Sequence, residues 1–339
     1  MIQEVISKLV ERVDLEEEEL AAVFQKVMDG VATPSQVTAL LVALRMKGET
    51  ITEITAAAKV MLEKAVRVNT GSLNTVDLCG TGGDGLGTFN ISTVSSFIVA
   101  GAGVPVAKHG NRSVSSPVGS ADVLEQLGVN INLSTDGAER CLNDVGIVFL
   151  FAPRFHPAMK NVAVPRKEIG IRTIFNILGP MVNPACVRHQ VMGVYSDVLI
   201  EPIAKALRNL GSSHAMVVNG ADTLDEITVT GKTSVAELKD GVVKTYKLDP
   251  FELGFKKRKI EELSGGKSHK ENADILLSIL RGEEREAKRD ICILNSAAGL
   301  VVAGAAPGMQ EAVEMATKSV DSGRALEKLN ELIKFSINW

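Results

Sequence analysis

The chain has 339 residues, a formal net charge of −4, 45% hydrophobic and only 4% aromatic residues, so it suits about two domains with a sizeable core. This excludes global disorder, and the mild acidity, one Trp and two Tyr argue against a basic nucleic-acid groove, a membrane-surface binder or a base-stacking platform. Ten of the 30 glycines fall between Gly80 and Gly128, which marks the stretch where chemistry is expected.

The N-terminus shows no basic segment followed by an apolar one, and no apolar run reaches the ~18 residues of a membrane span. Cys79, Cys141, Cys186 and Cys292 are widely spaced without a Cys-x-x-Cys pair, so a reduced, cytoplasmic protein is the expectation. Residues 1–68 read as helical. Ile2, Val5, Ile6, Leu9 and Val10 share one helical face, and Leu20, Val23, Phe24 and Val27 make the next stripe behind an Asp14–Glu17 capping box. Thr33-Pro34 starts a third helix, and a fourth runs from about 52 to 66. These helices need a partner surface, either the rest of the chain or another subunit.

After the linker at 69–72 the period changes. Strands are expected at 75–79, 104–107 and 147–151, with helices near 92–101, 120–127 and 136–144 between them. Such alternation predicts βαβ units and a mainly parallel sheet. Residues 153–188, with five prolines, read as an excursion toward the helical part. Alternation resumes with a strand near 190–195, a helix near 199–210 and a strand at 214–218. Short strands near 227–247 suggest a small antiparallel insertion, and the chain ends in helices.

Gly80-Thr81-Gly82-Gly83-Asp84-Gly85 satisfies G-x-G-x-x-G between a strand and a helix. The acid that should close the next strand of a dinucleotide fold is replaced by Lys108-His109, and the loop continues into Thr88-Phe89-Asn90-Ile91-Ser92-Thr93. A pyrophosphate held on backbone N–H groups, with Thr88, Asn90, Ser92 and Thr93 adding hydroxyl and amide contacts, fits better than a dinucleotide; a ligand-free strand–helix turn is the bland alternative. Lys108-His109-Gly110-Asn111-Arg112-Ser113 reads as a loop after the second strand, beside the glycine loop. There Lys108 and the hydroxyls of Ser113, Ser115, Ser116 and Ser120 can face phosphate. Gly265-Gly266-Lys267-Ser268 lacks the first glycine and the strand of a P-loop, and 256–259 reads as a solvated basic turn.

The runs Asp77–Gly85, Thr88–Thr93 and Lys108–Ser116, the segment Gly170–Pro180 with Asn183-Pro184, and the pair Asp225-Glu226 together resemble anthranilate phosphoribosyltransferases. The similarity spans essentially the whole chain, including the helical N-terminus and Asn295; one departure, Lys267, is expected outside the site. The resemblance implies a small all-helical domain (1–70, with part of 163–188) beside a larger α/β domain (71–339) with a central mainly parallel sheet, and a homodimer through the helical domain. It implies transfer of the phosphoribosyl group of phosphoribosyl pyrophosphate to the amine of anthranilate, with Mg²⁺. The donor site it implies is Gly80, Thr81, Gly82, Gly83, Asp84, Thr88, Asn90, Ser92, Thr93, Lys108 and Ser120. The metal would be held by Ser92, Asp225 and Glu226. Anthranilate would meet Gly80, His109, Asn111, Arg166 and Pro180, with Arg166 at its carboxylate. Read alone, Asp225-Glu226 and Arg166 are ordinary solvated charges. Pyrimidine nucleoside phosphorylases share the fold and a Lys-His-x-x-Arg loop, but Arg172–Pro180 and Asp225-Glu226 speak against them. A nucleic-acid-binding homologue should show a basic groove that this composition lacks.

Overall fold

The computed structural model describes residues 1–112 and 118–339. Ser113, Ser115 and Ser116 therefore lie outside the described residues. The N-terminal region forms four helices, α1 (Ile2–Val10), α2 (Glu17–Met28), α3 (Pro34–Lys47) and α4 (Ile51–Lys64). Their stripes bury Val5, Leu9, Leu20, Val23, Phe24, Val27, Leu40, Leu41 and Leu44, as the periodicity requires, but of the first stripe Ile2 and Ile6 are only half-buried and Val10 is exposed. Thr33 caps α3 by accepting from Gln36 N–H. The expected Asp14–Glu17 box is displaced by two residues. Glu16 is the N-cap and Glu19 reaches back to its N–H, because Asp14 is drawn away to Lys47 at 2.7 Å.

A seven-stranded sheet follows, made of β1 (Val76–Gly80), β2 (Val106–Gly110), β3 (Ile147–Phe151), β4 (His189–Gly193), β5 (His214–Gly220), β6 (Thr233–Lys239) and β7 (Val242–Leu248). The spatial order is β3-β2-β1-β4-β5-β6-β7. The first five strands are parallel; β6 and β7 are antiparallel. The hairpin read as an insertion thus extends the central sheet, since β6 pairs with β5 along its full length. The second strand also starts later than 104 and runs further. Its pairing with β3 carries through Lys108, His109 and Gly110, which are strand residues rather than loop.

Helices α5 (Ile91–Gly101), α6 (Ser120–Gln126) and α7 (Thr135–Val145) connect the first three strands. Residues 152–188 hold α8 (Ala152–Phe155), α9 (Lys160–Ile169) and α10 (Ile174–Met181); α11 (Ile200–Asn209) links β4 to β5. The C-terminal part supplies α12 (His269–Leu280), α13 (Ala287–Val302), α14 (Met309–Asp321) and α15 (Arg324–Ile337). Alternate residues of the strands serve two cores. Leu78, Val191, Met216 and Val218 join α5, α13, α14 and α15. Met192, Val194, Ala215, Val217, Ala236 and Leu238 join α11, α9, α10 and the four N-terminal helices on the other side. Pro165 and Pro180 sit inside α9 and α10 rather than ending them. Among the described residues no helix is long and apolar enough to cross a membrane.

Candidate active site

β1 and β4 are neighbours, yet the chain leaves β1 toward β2 and leaves β4 toward β5. A crevice opens beyond the carboxyl ends of strands at such a switch point. Gly80 and Gly193 end the two strands in register. The loop carrying Asp225 crosses directly over both. A Cβ at Gly193 would run into the Asp225 carbonyl, and one at Gly80 into its carboxylate.

The glycine loop leaves β1 and is pinned to the same residues. Thr81 N–H donates to Gly193 O at 2.9 Å and Gly82 N–H to Asp225 Oδ2 at 2.6 Å. Gly82 and Gly83 have φ of +65° and +81°, the left-handed region that favours glycine. Asp84 accepts from Leu86 N–H at 3.1 Å and shares a hydrogen bond with Asp225. Thr88 bridges to Ser264, and Gly265 N–H donates to Gly87 O at 2.9 Å. The Gly265-Gly266 segment is thus no phosphate loop of its own, but it walls the glycine loop, which the sequence reading did not expect. Lys267 turns its backbone N–H to Glu271.

Asn90 stands at the N-cap position of α5, and its side-chain amide donates not to the helix but to Val118 O at 3.2 Å. Two residues on, Ser92 N–H donates to Glu226 Oε1 at 3.1 Å, and Ser92 Oγ accepts from Lys108 Nζ at 3.3 Å. Lys108 Nζ also donates to Leu78 O at 2.6 Å, so the buried ammonium bridges β1 and the start of α5. Gly80 to Asp84, Ser92, Lys108, Asp225 and Glu226 therefore form one bonded cluster. Thr93 is buried, and its hydroxyl has no partner among the described residues. Ser120 Oγ and Ala121 N–H both donate to Asn111 O, which ties Asn111 to the start of α6.

The electrostatics of this cluster are unbalanced. Burial and neighbouring Asp84 raise the Asp225 carboxyl, and burial and neighbouring Asp225 raise Glu226. Desolvated like charges of this kind call for a cation. Among the described residues no group of three or more His, Cys, Asp or Glu is arranged to hold a metal by itself. Two carboxylates plus a hydroxyl, all hard oxygens, suit Mg²⁺, which is commonly bound by one or two carboxylates together with substrate phosphates.

A second cluster lies behind Gly80. The His109 ring hydrogen-bonds the Gly179 carbonyl, and burial, with His156 and Lys108 nearby, pushes its pKa down to about 3. It is a neutral imidazole at pH 7. His156, which the sequence reading missed, lies 5.2 Å from it ring to ring. Burial lowers His156 to about 4. Nε2 of both rings is buried without a partner among the described residues. The Pro180 carbonyl accepts from Gln190 Nε2 at 2.7 Å, and the Cys79 thiol approaches it at 3.9 Å. Buried Asp77 accepts from His109 N–H at 3.2 Å and Asn183 Nδ2 at 2.9 Å, fixing β1 to β2 and to the turn before β4. Arg166, in the last turn of α9, sits 5.2 Å over the Phe175 ring and makes no ion pair among the described residues. Asn295 of α13 holds the acidic loop: Oδ1 accepts from Ile227 N–H at 2.9 Å and Nδ2 donates to Ile227 O at 2.8 Å. Gly193 and His156 carry no local sequence signal; the scarcity of histidine, five in the chain, was the one available hint for the latter.

Residues 3–65 match the model of the glycosyl transferase family helical bundle domain, and residues 72–326 that of the glycosyl transferase family a/b domain. The anthranilate phosphoribosyltransferase of Pelotomaculum thermopropionicum is 54% identical over 338 residues, covering 100% of this chain and 97% of its own. The chain belongs to the anthranilate phosphoribosyltransferase family. That of Alkaliphilus metalliredigens is 51% identical, over 99% of this chain and 98% of its own. Among solved structures, the family member from Thermus thermophilus superposes with a TM-score of 0.93 at 40% identity, covering 98% and 99% of the two chains. The Saccharomyces cerevisiae enzyme, in complex with phosphoribosyl pyrophosphate and Mg, gives 0.91 at 28% identity, covering 100% and 98%.

Proposed function

We infer that the protein transfers the phosphoribosyl group of phosphoribosyl pyrophosphate to the amine of anthranilate, giving N-(5′-phosphoribosyl)anthranilate and pyrophosphate, in tryptophan biosynthesis. The observation that carries this reading is the meeting, at the β1–β4 switch point, of a glycine loop with positive-φ residues and a desolvated carboxylate pair. In the step the amine nitrogen forms a bond to ribose C1, the bond from C1 to the pyrophosphate oxygen breaks, and the amine gives up one proton.

The backbone of Gly80 to Asp84, with Thr88, Asn90, Ser92 and Thr93, is assigned to the pyrophosphate, and Lys108 and Ser120 to the donor's phosphates. Asp225, Glu226 and Ser92 would hold Mg²⁺; when bound, it neutralises charge on the leaving pyrophosphate. Anthranilate is assigned to Gly80, His109, Asn111, Arg166 and Pro180. A half-buried guanidinium without a carboxylate partner among the described residues suits the substrate carboxylate, which it can meet bidentately. The His109 imidazole, neutral at pH 7, can accept or donate a hydrogen bond but does not serve as a strong acid. The arylamine is already neutral, so catalysis rests on positioning and on stabilising the departing anion. We assign the helical domain to residues 1–70 with part of 163–188, and the α/β domain to 71–339. The exposed apolar residues Val10, Val31 and Met46 support a homodimer through the helical domain in a cytoplasmic enzyme; a monomer by light scattering would remove that assignment.

The test is loss of anthranilate fluorescence on adding phosphoribosyl pyrophosphate and Mg²⁺. Folded protein that gives no loss refutes the reading. Arg166→Gln is expected to raise the anthranilate KM about tenfold or more, the scale of one lost charged hydrogen bond. An unchanged KM moves the acceptor carboxylate elsewhere.

A further inference from the structure

Arg172 belongs to neither cluster, yet it reaches the centre of the glycine loop. It lies in the four-residue connection between α9, which carries Arg166, and α10, which carries Pro180. Its guanidinium donates to the Gly83 carbonyl oxygen, packs against Gly83 so closely that a Cβ there would meet Nε at 3.3 Å, and stacks 4.3 Å over the Tyr195 ring. Tyr195 follows β4 and packs against the second core.

The physical consequence concerns one peptide plane. Gly82 and Gly83 both have positive φ, and glycine crosses between φ wells at little cost. The loop therefore needs outside contacts to choose which way its N–H groups point. Thr81 takes its direction from Gly193 O and Gly82 from Asp225. In a trans peptide the carbonyl and the following N–H point in opposite directions. Holding the Gly83 carbonyl toward Arg172 therefore turns the Asp84 N–H away from Arg172, and fixes the Gly83–Asp84 peptide of the cradle in addition to those two. Stacking on Tyr195 fixes the guanidinium in turn, because a planar cation over an aromatic face loses little further freedom on bonding.

We propose that Arg172 is a positioning residue that orders the pyrophosphate loop through the Gly83 carbonyl, with Tyr195 holding its guanidinium. It thereby couples the donor loop to the segment that carries the acceptor residues. The inference rests on the phosphoribosyl-transfer reading for its kinetic consequence, but not for its structural one.

The experiment compares the full-length protein with Arg172→Gln, Arg172→Lys, Tyr195→Leu and Tyr195→Phe. Two readouts are taken: steady-state constants for both substrates, and hydrogen–deuterium exchange of residues 82–86 without ligands. Arg172→Gln is expected to raise the phosphoribosyl pyrophosphate KM about tenfold, the equivalent of one hydrogen bond to a charged group, while the anthranilate KM moves less than about twofold. It should also speed exchange across 82–86. Arg172→Lys keeps a donor and should recover part of both effects. Tyr195→Leu should move both readouts in the same direction, and Tyr195→Phe, which keeps the ring face, should leave them unchanged. Unaltered exchange in Arg172→Gln overturns the proposal, as does a change confined to the anthranilate KM, which would make Arg172 an acceptor contact. If the unmodified protein shows no turnover, the functional reading falls, and exchange alone decides whether Arg172 orders the loop.

Discussion

Gly193 ends β4 with no side chain, and the Asp225 carbonyl fills the space that a Cβ would need. The contact is with backbone, which cannot swing aside as a flexible side chain can. Gly193→Ala must therefore push the 225–226 loop outward and draw the Asp225 carboxylate away from Gly82 N–H. We expect a loss of about 1–3 kcal/mol in urea unfolding, as for other overpacked sites. We also expect turnover to fall about tenfold or more, since positioned groups lose their advantage when displaced. Gly128→Ala is the control: its φ of +92° strains an alanine, but its nearest neighbour is a side-chain carbon of Ile333. It should lose stability and keep turnover. Equal turnover in the two variants would show that the loop contact is immaterial. The sequence announces the glycine loop by density alone, whereas Gly193 stands in Val-Met-Gly-Val and looks like any strand end. Its constraint comes from Asp225, 32 positions away. Lys108 and His109 misled in the opposite sense. Polar residues beside a glycine suggest a loop, but β2 is an interior strand flanked by β1 and β3, and both side chains are buried.

The acidic loop depends on an element far from it in sequence. α13 packs on α5 and presents Asn295 to both backbone groups of Ile227. Asn295 is itself buried, so no water stands ready to replace its amide. Asn295→Ala would leave a buried N–H and a buried C=O without their partner, at about 1–3 kcal/mol for each group left unsatisfied. The resulting slack falls on the residue after Glu226. We therefore expect a lower Tm together with a several-fold rise in the Mg²⁺ concentration needed for half-maximal turnover. A Tm loss with an unchanged Mg²⁺ requirement would make α13 a structural support only. Elements with strong local signals were readable in advance: the four N-terminal helices, the Thr33-Pro34 start and the strand at 147–151. Relations between elements were not. Asp14 fails as a cap because Lys47, on another helix, competes for it. The hairpin at 233–248 has an antiparallel pattern in its sequence, but nothing local tells that its first strand extends the central sheet.

At the scale of the molecule, two cores lie back to back across one sheet, and the linker between α4 and β1 is stitched down rather than free. Val66 N–H donates to Phe155 O at 2.8 Å and Val68 N–H to Pro184 O at 3.1 Å. His156, next to Phe155, faces His109 of β2 at this junction. Both imidazoles are buried, and both pKa values are depressed, to about 3 for His109 and about 4 for His156. In the unfolded chain each histidine takes up its proton near pH 6.5. Between pH 6.5 and 4 the unfolded chain thus binds a proton at His156 that the folded protein refuses, so this group favours folding fully above about pH 6.5 and loses that contribution as pH falls toward 4. Raised carboxyls such as Asp77, pushed up to about 6, act with the opposite sign, so the total slope does not isolate the histidine. A difference does. Urea unfolding of the metal-free protein and of His156→Gln at pH 7, 6, 5 and 4 should show the parent losing on the order of 3 kcal/mol more than the variant across that span, about 2.5 pH units of one withheld proton. The variant's offset at pH 7 reports lost packing and is separate from the slope. Parallel profiles would mean that His156 protonates freely in the folded protein, and that the junction between the cores is open to water rather than sealed around two neutral rings.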